Sequence, residues 1–295
     1  AAPATFDLRD EPWIPVVRKN GAPAELGLRE VLRDAPKLRE IRDPLPTVEF
    51  GSHRLLVALV LDIFELSSAS DLEALLDAGE FDARRVDDYF DEWHDRFDLF
   101  HPKYPFLQSP GMKDEKPKPL AGLLHPLPSG TNANHFHHGD DRAFGVCPAA
   151  AARLLTTIAP FMTAGGAGLS PSINGAPPWY VLLCGSTPTL FETLCLNCPA
   201  VSDLVRHADG DEPPAWRSGR AVNAKRRTGA SLCESLTWQP RRIQLLRDGP
   251  GRKHRPREGG PDDDSAGLRR RADHARPGGS AGSRSGHRDP ALEPL

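Results

Sequence analysis

The chain has 295 residues, 39% hydrophobic and 26% charged, with a formal net charge of −3. That supplies a core for one large domain or two modest ones, and it excludes a polycation, so any nucleic-acid contact needs a local basic surface or partners. No run of about 18 apolar residues occurs, Ala1–Phe6 carries no secretory pattern, and five scattered cysteines suit a reducing compartment; a cytoplasmic protein is expected.

Phe6–Val17 reads as a turn and a short strand, with Pro12 and Pro15 holding their neighbours extended and Trp13, Ile14 and Val16 as apolar anchors. Lys19-Asn20-Gly21 is a hairpin signal, so a second strand should return from it. Leu28, Val31, Leu32 and Ala35 have helical spacing within 28–38, and Pro44 and Pro46 break the chain. His53–Leu66 is apolar nearly all round, the pattern of a helix at the centre of a domain. Ser70-x-x-Glu73 is a capping-box pattern opening a short helix. Val86, Tyr89, Phe90, Trp93 and Phe97 predict an amphipathic helix, and Asp87, Asp88, Asp91, Glu92 and Asp95 its solvated acidic face.

His101–Gln108 should leave that helix extended, and Met112–Pro119 reads as a mobile Lys/Pro-rich loop. Pro148 stands at a first helical position, before an Ala- and Leu-rich helix ending at Pro160. Trp179–Cys184 is a strand candidate and Thr189-x-x-Glu192 a second capping box. Residues 206–220 read as a surface connection, and Leu236–Leu246 as a partly alternating strand.

Two polar loops flank the helix that follows Pro148. The first holds Ser129, Gly130, Thr131, Asn132, Asn134 and His135; the second holds Ala164, Gly165, Gly166, Ala167 and Gly168. Such loops present backbone N–H groups and short donors, which suits close approach to phosphates and base edges. Neither combines an acid, a base and a nucleophile at fixed spacing. The glycine loop is followed by no Gly-Lys-Ser/Thr and is no dinucleotide fingerprint. His135, His137 and His138, with Asp140 and Asp141, lack zinc-protease spacing and read as surface or partner-binding. Cys195-x-x-Cys198 has metal-pair spacing inside an apolar helix and reads as free buried thiols. Arg241 and Arg242 either contact phosphate or line an exposed strand edge.

From Asp248 to Leu295 there is no Ile, Val, Met, Cys or aromatic residue. Such a segment cannot bury enough apolar surface to order itself, which predicts disorder. It is either a basic tail or, the preferred expectation, GC-rich coding DNA read out of frame.

Four ordered blocks resemble CasA, the large subunit of type I-E Cascade, the bacterial CRISPR-guided surveillance complex: Asp10-Glu-Pro-Trp-Ile-Pro-Val16, Tyr104-Pro-Phe-Leu-Gln108, Ser129-Gly-Thr-Asn-Ala-Asn-His-Phe136 and Leu236-Thr-Trp-Gln-Pro-Arg-Arg-Ile243. The resemblance covers roughly residues 5 to 247. It implies an α+β N-terminal domain over 1–247, a missing C-terminal four-helix bundle, and a disordered tail over 248–295. It also implies a non-catalytic role. The 129–136 loop would reach the guide RNA handle and the duplex, and the glycine loop would read the protospacer-adjacent motif in the minor groove. A recruited helicase-nuclease would receive the opened target. Implied partners are the other Cascade subunits, guide RNA, double-stranded target DNA and that helicase-nuclease.

Some family members bind zinc through two Cys-x-x-Cys pairs. Here Ala150 stands where the partner of Cys147 would, so no zinc and no other cofactor are expected. The family's sensing lysine and wedge would lie beyond the Trp238-Gln-Pro block. Two alternatives stay open: a truncated, non-functional product, and a metal-dependent hydrolase using His135, His137 and His138.

Overall fold

Turn chemistry sets the first elements. β1 (Ile14–Arg18) pairs antiparallel with β2 (Pro23–Leu26), Ile14 opposite Leu26. Gly21 closes the hairpin at φ +85°, a conformation that strains any other residue. This computed structural model describes residues 5–112, 120–123, 145–161, 182–183, 188–199, 213–218, 231–240, 242–246 and, by backbone alone, 255–259.

The helix expected over 28–38 is shorter. α1 (Leu28–Arg33) gives way to a 3-10 turn, Ala35–Lys37, where Pro36 removes a helical donor. The chain then forms β3 (Leu38–Ile41), giving an antiparallel sheet of order β2-β1-β3. Trp13 is fully buried, and its indole N–H donates to Leu8 O at 2.9 Å. Behind the sheet lies α2 (Pro46–Phe64), buried at almost every position from Leu55 to Phe64. Its apolar surface has no solvent side, so packing must come from all round.

α3 (Ala69–Ala78) starts a register earlier than expected. Ser68 and Asp71, not Ser70 and Glu73, form the capping box. Bonds from the Ser67 hydroxyl, and from Ser68, hold the Asp71 carboxyl down at about 2. α4 (Ala83–Glu92) is capped by Asp82 and yields to a 3-10 turn, His94–Arg96, before reaching Phe97.

Part of the acidic face of α4 is a clasp. Arg29 of α1 reaches Asp10, Asp87 and Asp91, each at 2.9 Å. Burial opposes its charge, yet these three carboxylates raise its pKa above the ordinary value. Asp88 and Glu92 remain exposed.

His101–Gln108 turns instead of running extended, and Leu107 sits at φ +51°. What holds this strained turn is Gln108. Its Nε2 donates to Leu99 O at 2.8 Å, and its Oε1 accepts from Leu245 N–H at 2.8 Å. Ser109 N–H donates to Ile243 O at 2.8 Å and Met112 N–H to Gln244 Oε1 at 3.2 Å.

The helix after Pro148 is two pieces, α5 (Pro148–Thr156) and α6 (Ile158–Phe161), since Pro160 cannot donate back to Thr156. α7 (Leu190–Leu196) carries the expected Thr189–Glu192 capping box. Within 206–220, the described part is no surface link: α8 (Ala215–Ser218) buries Trp216 to 4% exposure. Trp216 Nε1 donates to Tyr89 Oη at 2.7 Å, Tyr89 donates to Asp62, and Arg217 Nη1 reaches Asp62 at 2.8 Å.

Over 236–246 the chain finishes α9 (Leu232–Thr237) before β4 (Arg242–Leu246). β5 (Arg255–Gly259) pairs antiparallel with β4, inside the segment whose composition predicts disorder. Residues 260–295 lie outside the described residues. Of the strand candidate 179–184, only 182–183 are described, and they lie in no strand. No helix among the described residues is long and apolar enough to cross a membrane.

Gln108→Leu removes the bonds to Leu99 O, to Phe106 O at 3.3 Å and from Leu245 N–H, and leaves backbone groups of Leu99 and Leu245 without their partner. It should lower unfolding free energy by about 2–4 kcal/mol in urea denaturation, whereas Lys19→Ala at the exposed hairpin should change it by less than about 0.5 kcal/mol.

Candidate nucleic-acid interface

Both sequence-marked loops hang from one helical unit. Residues 124–144 precede α5 and residues 162–181 follow α6, so α5 and α6 anchor the end of one loop and the start of the other. Pro148 is pre-set for the helix start, and Thr157 Oγ1 donates to Leu154 O at 2.7 Å where α5 ends. Ala151, Ala152, Leu154, Leu155 and Ile158 are all buried.

Three contacts seat this unit. Arg153 Nη1 reaches Glu25 of β2 at 2.7 Å and Trp13 O at 3.1 Å. Phe50 and Phe161 meet edge to face at 5.4 Å. Gly51 lets α2 touch α5: a Cβ there would fall 2.6 Å from both Thr156 O and Thr156 Oγ1. These contacts fix α5 and α6 against α2 and the sheet.

Beside the seat is a cleft of about 400 Å³, walled by Phe50, His53, Arg54 and Val57 of α2 and by residues of α7 and α9. Burial pushes the His53 pKa down to about 4, against the bond from Nδ1–H to Glu49 O at 2.8 Å. Arg54 caps α9: its Nε donates to Leu236 O and its Nη2 to Ser235 O, each at 2.9 Å. Burial lowers its pKa to about 10, so the guanidinium stays charged at neutral pH. A neutral imidazole and an arginine engaged by carbonyls offer shape and fixed donors; neither is poised for proton transfer at pH 7.

Ser129, Gly130, Thr131, Asn132, Asn134, His135 and Ala164–Gly168 lie outside the described residues, as do Arg241, His137, His138, Asp140 and Asp141. Arg242 opens β4 opposite Gly259 and is half-buried, with its Nε enclosed. Cys195 and Cys198 are free and buried. Burial pushes Cys195 up to about 12 and raises Cys198 well above its usual range, so both are protonated at neutral pH. Sequence reasoning missed Arg54 and the Asp62–Tyr89–Trp216 chain. An arginine and an aspartate inside an otherwise apolar helix were the available signal.

The Cse1 profile, for CRISPR-associated protein Cse1, matches residues 7–275. The chain belongs to the Cse1 family. The match takes in both loops and the α5–α6 seat, and runs past residue 247. Among curated Cse1 relatives, CasA/Cse1 of Thermus thermophilus is 35% identical over 263 residues, covering 83% of this chain and 50% of that protein. The solved structure of Thermobifida fusca Cse1 aligns with a TM-score of 0.68 at 28% identity, over 87% of this chain and 52% of the other. A chain of a CRISPR RNA-guided surveillance complex shares the fold, with a TM-score of 0.69 at 23% identity over 88% of this chain and 56% of that one. This chain therefore spans about half the length of the Cse1 proteins it matches. The mixed helix-and-sheet architecture agrees with the expected α+β class.

Two measurements probe the seat. Gly51→Ala forces backbone apart and should lower stability by about 1–3 kcal/mol in denaturant melts. His53 is depressed from 6.5 in the unfolded chain to about 4 in the fold. The stability it contributes is therefore present above pH 6.5 and lost as pH falls toward 4. Wild type should lose about 3 kcal/mol more than His53→Leu across that window, in urea melts at stepped pH.

Proposed function

We propose that this chain acts as a Cse1-type, non-catalytic subunit of a cytoplasmic CRISPR RNA-guided surveillance complex of the Cascade type. The observation that carries this reading is the Cse1 match across residues 7–275, which includes both loops. In this reading Ser129–His135 meets the guide RNA handle, while Ala164–Gly168 enters the minor groove beside the protospacer. Backbone without side chains can approach base edges closely there, and donors meet acceptors in a degenerate readout. Base pairing with the guide then reads the target sequence, and the protein reads only a short duplex element. Arg241 and Arg242 supply phosphate contacts. Other Cascade subunits, guide RNA, target duplex and a recruited helicase-nuclease are the partners.

The seat supports this division of labour. A loop that reads a groove must be held against a rigid element, and α5–α6 is fixed through Arg153, Phe161 and the Gly51 contact.

Co-expression with the remaining Cascade subunits and guide RNA, then pull-down through another subunit, tests this reading. Assembly with stronger binding to duplexes bearing the adjacent motif is expected. Gly166→Val should then cut motif-dependent binding about ten- to hundredfold, comparable to losing one base-pair readout, and leave motif-less duplexes unaffected. Failure to assemble despite a cooperative thermal melt would overturn this reading.

A further inference from the structure

Away from the two loops, the turn 101–104 gathers three basic side chains around one ring. Arg96 lies over Tyr104, its Cζ 3.6 Å from the ring centroid, and Lys103 Nζ is 4.9 Å from the same centroid. His101 stacks alongside, with 5.6 Å between centroids and 7° between planes. Its Nδ1 accepts from the backbone N–H groups of Lys103 at 3.3 Å and Tyr104 at 2.9 Å. That assignment leaves the ring proton on Nε2, as a donor. The turn is therefore braced by its own first side chain.

Charge balance singles this place out. On α4 and the turn after it, Asp87 and Asp91 are matched by Arg29, Asp88 by Arg84 at 3.8 Å, and Asp95 by Arg96 at 3.0 Å. Glu92 lies in the field of Arg217. Lys103 is exposed, and among the described residues no carboxylate stands within ion-pair distance of it. Arg96 keeps Asp95 as its ion-pair partner, so the unmatched positive charge on this ring is that of Lys103. The hydrogen bond from Lys103, and the nearby charges of Lys103 and Arg96, lower the Tyr104 pKa from its ordinary value.

An anion placed here meets the unmatched charge of Lys103 and donors already ordered on a ring. The ordering cost of about 0.5–1.5 kcal/mol per long side chain is thereby avoided on binding. In a chain of net charge −3, a local cationic patch is what contact with a polyanion requires.

We propose that Lys103, Arg96 and His101, gathered on Tyr104, form a contact site for the phosphodiester backbone of nucleic acid. The site rests on the nucleic-acid-binding reading above and adds a sequence-independent contact apart from the two loops. It positions the bound strand and carries no readout of its own.

The test uses the full chain, alone at low salt and in the assembled complex, with labelled duplex DNA and labelled guide RNA as separate arms. Lys103→Ala should lower the slope of log affinity against log salt by about 0.7–0.9, the value of one phosphate contact, with an unchanged thermal melt. Tyr104→Leu should weaken the same binding several-fold by releasing the two cations. An effect confined to one arm identifies the nucleic acid that occupies the site. An unchanged slope for Lys103→Ala in both arms overturns the proposal, as does absence of wild-type binding both alone and in complex. Loss of motif discrimination with the Lys103 effect intact would instead overturn the glycine-loop reading and leave this site standing.

Discussion

Everything among the described residues answers to one constraint, that α2 has no side fit for water. A 19-residue helix with buried positions all round must be covered on every flank, and the sheet, α4, α5, α7 and α9 supply that cover. At about 25 cal/mol per Å² of apolar surface removed from water, this burial dominates the folding free energy. The polar groups on α2 are resolved one at a time. His53 stays neutral, Arg54 spends its donors on the last carbonyls of α9, and Asp62 is held by Tyr89 and Arg217. Burial raises the Asp62 pKa, opposed by those partners. An unmatched charge at any of these positions would be far costlier than an exposed one.

Local rules written into single residues were legible in the sequence. The Lys19-Asn20-Gly21 turn, Pro148 at a helix start, Thr189 with Glu192, and the apolar run after His53 all appear where residue chemistry puts them. Decisions made by distant partners were not legible. Leu38–Ile41 becomes a strand because β1 offers an open edge. Trp216 is buried because Tyr89 and Asp62, far away in sequence, accept its segment. Ser68 outcompetes Ser70 as a cap because Asp71 answers it from the helix, a choice two overlapping patterns left undecided. For the candidate interface, the loops marked in the sequence lie outside the described residues, and Arg54 and the Tyr104 cluster emerge only once side chains are placed.

Two blocks behind the family resemblance turn out to be joinery. Asp10–Val16 carries Trp13, which seals the sheet against Leu8, and Tyr104–Gln108 carries the clasp to β4. Their residue types follow from closing a fold.

The Gln108 clasp also sets a clock. Its partner Leu245 lies 137 residues downstream, and α5, α7 and α9 all follow residue 147. At a synthesis rate of about 5–20 residues per second, α2 leaves the ribosome roughly 10–35 s before its last cover and the clasp exist. During that interval α2 lacks its later cover, and the strained turn at Leu107 lacks its tie to Leu245. Production of this chain in cells is therefore governed by how well the first hundred residues are shielded while they wait, an exposure that holdase chaperones and slower growth temperatures act on directly.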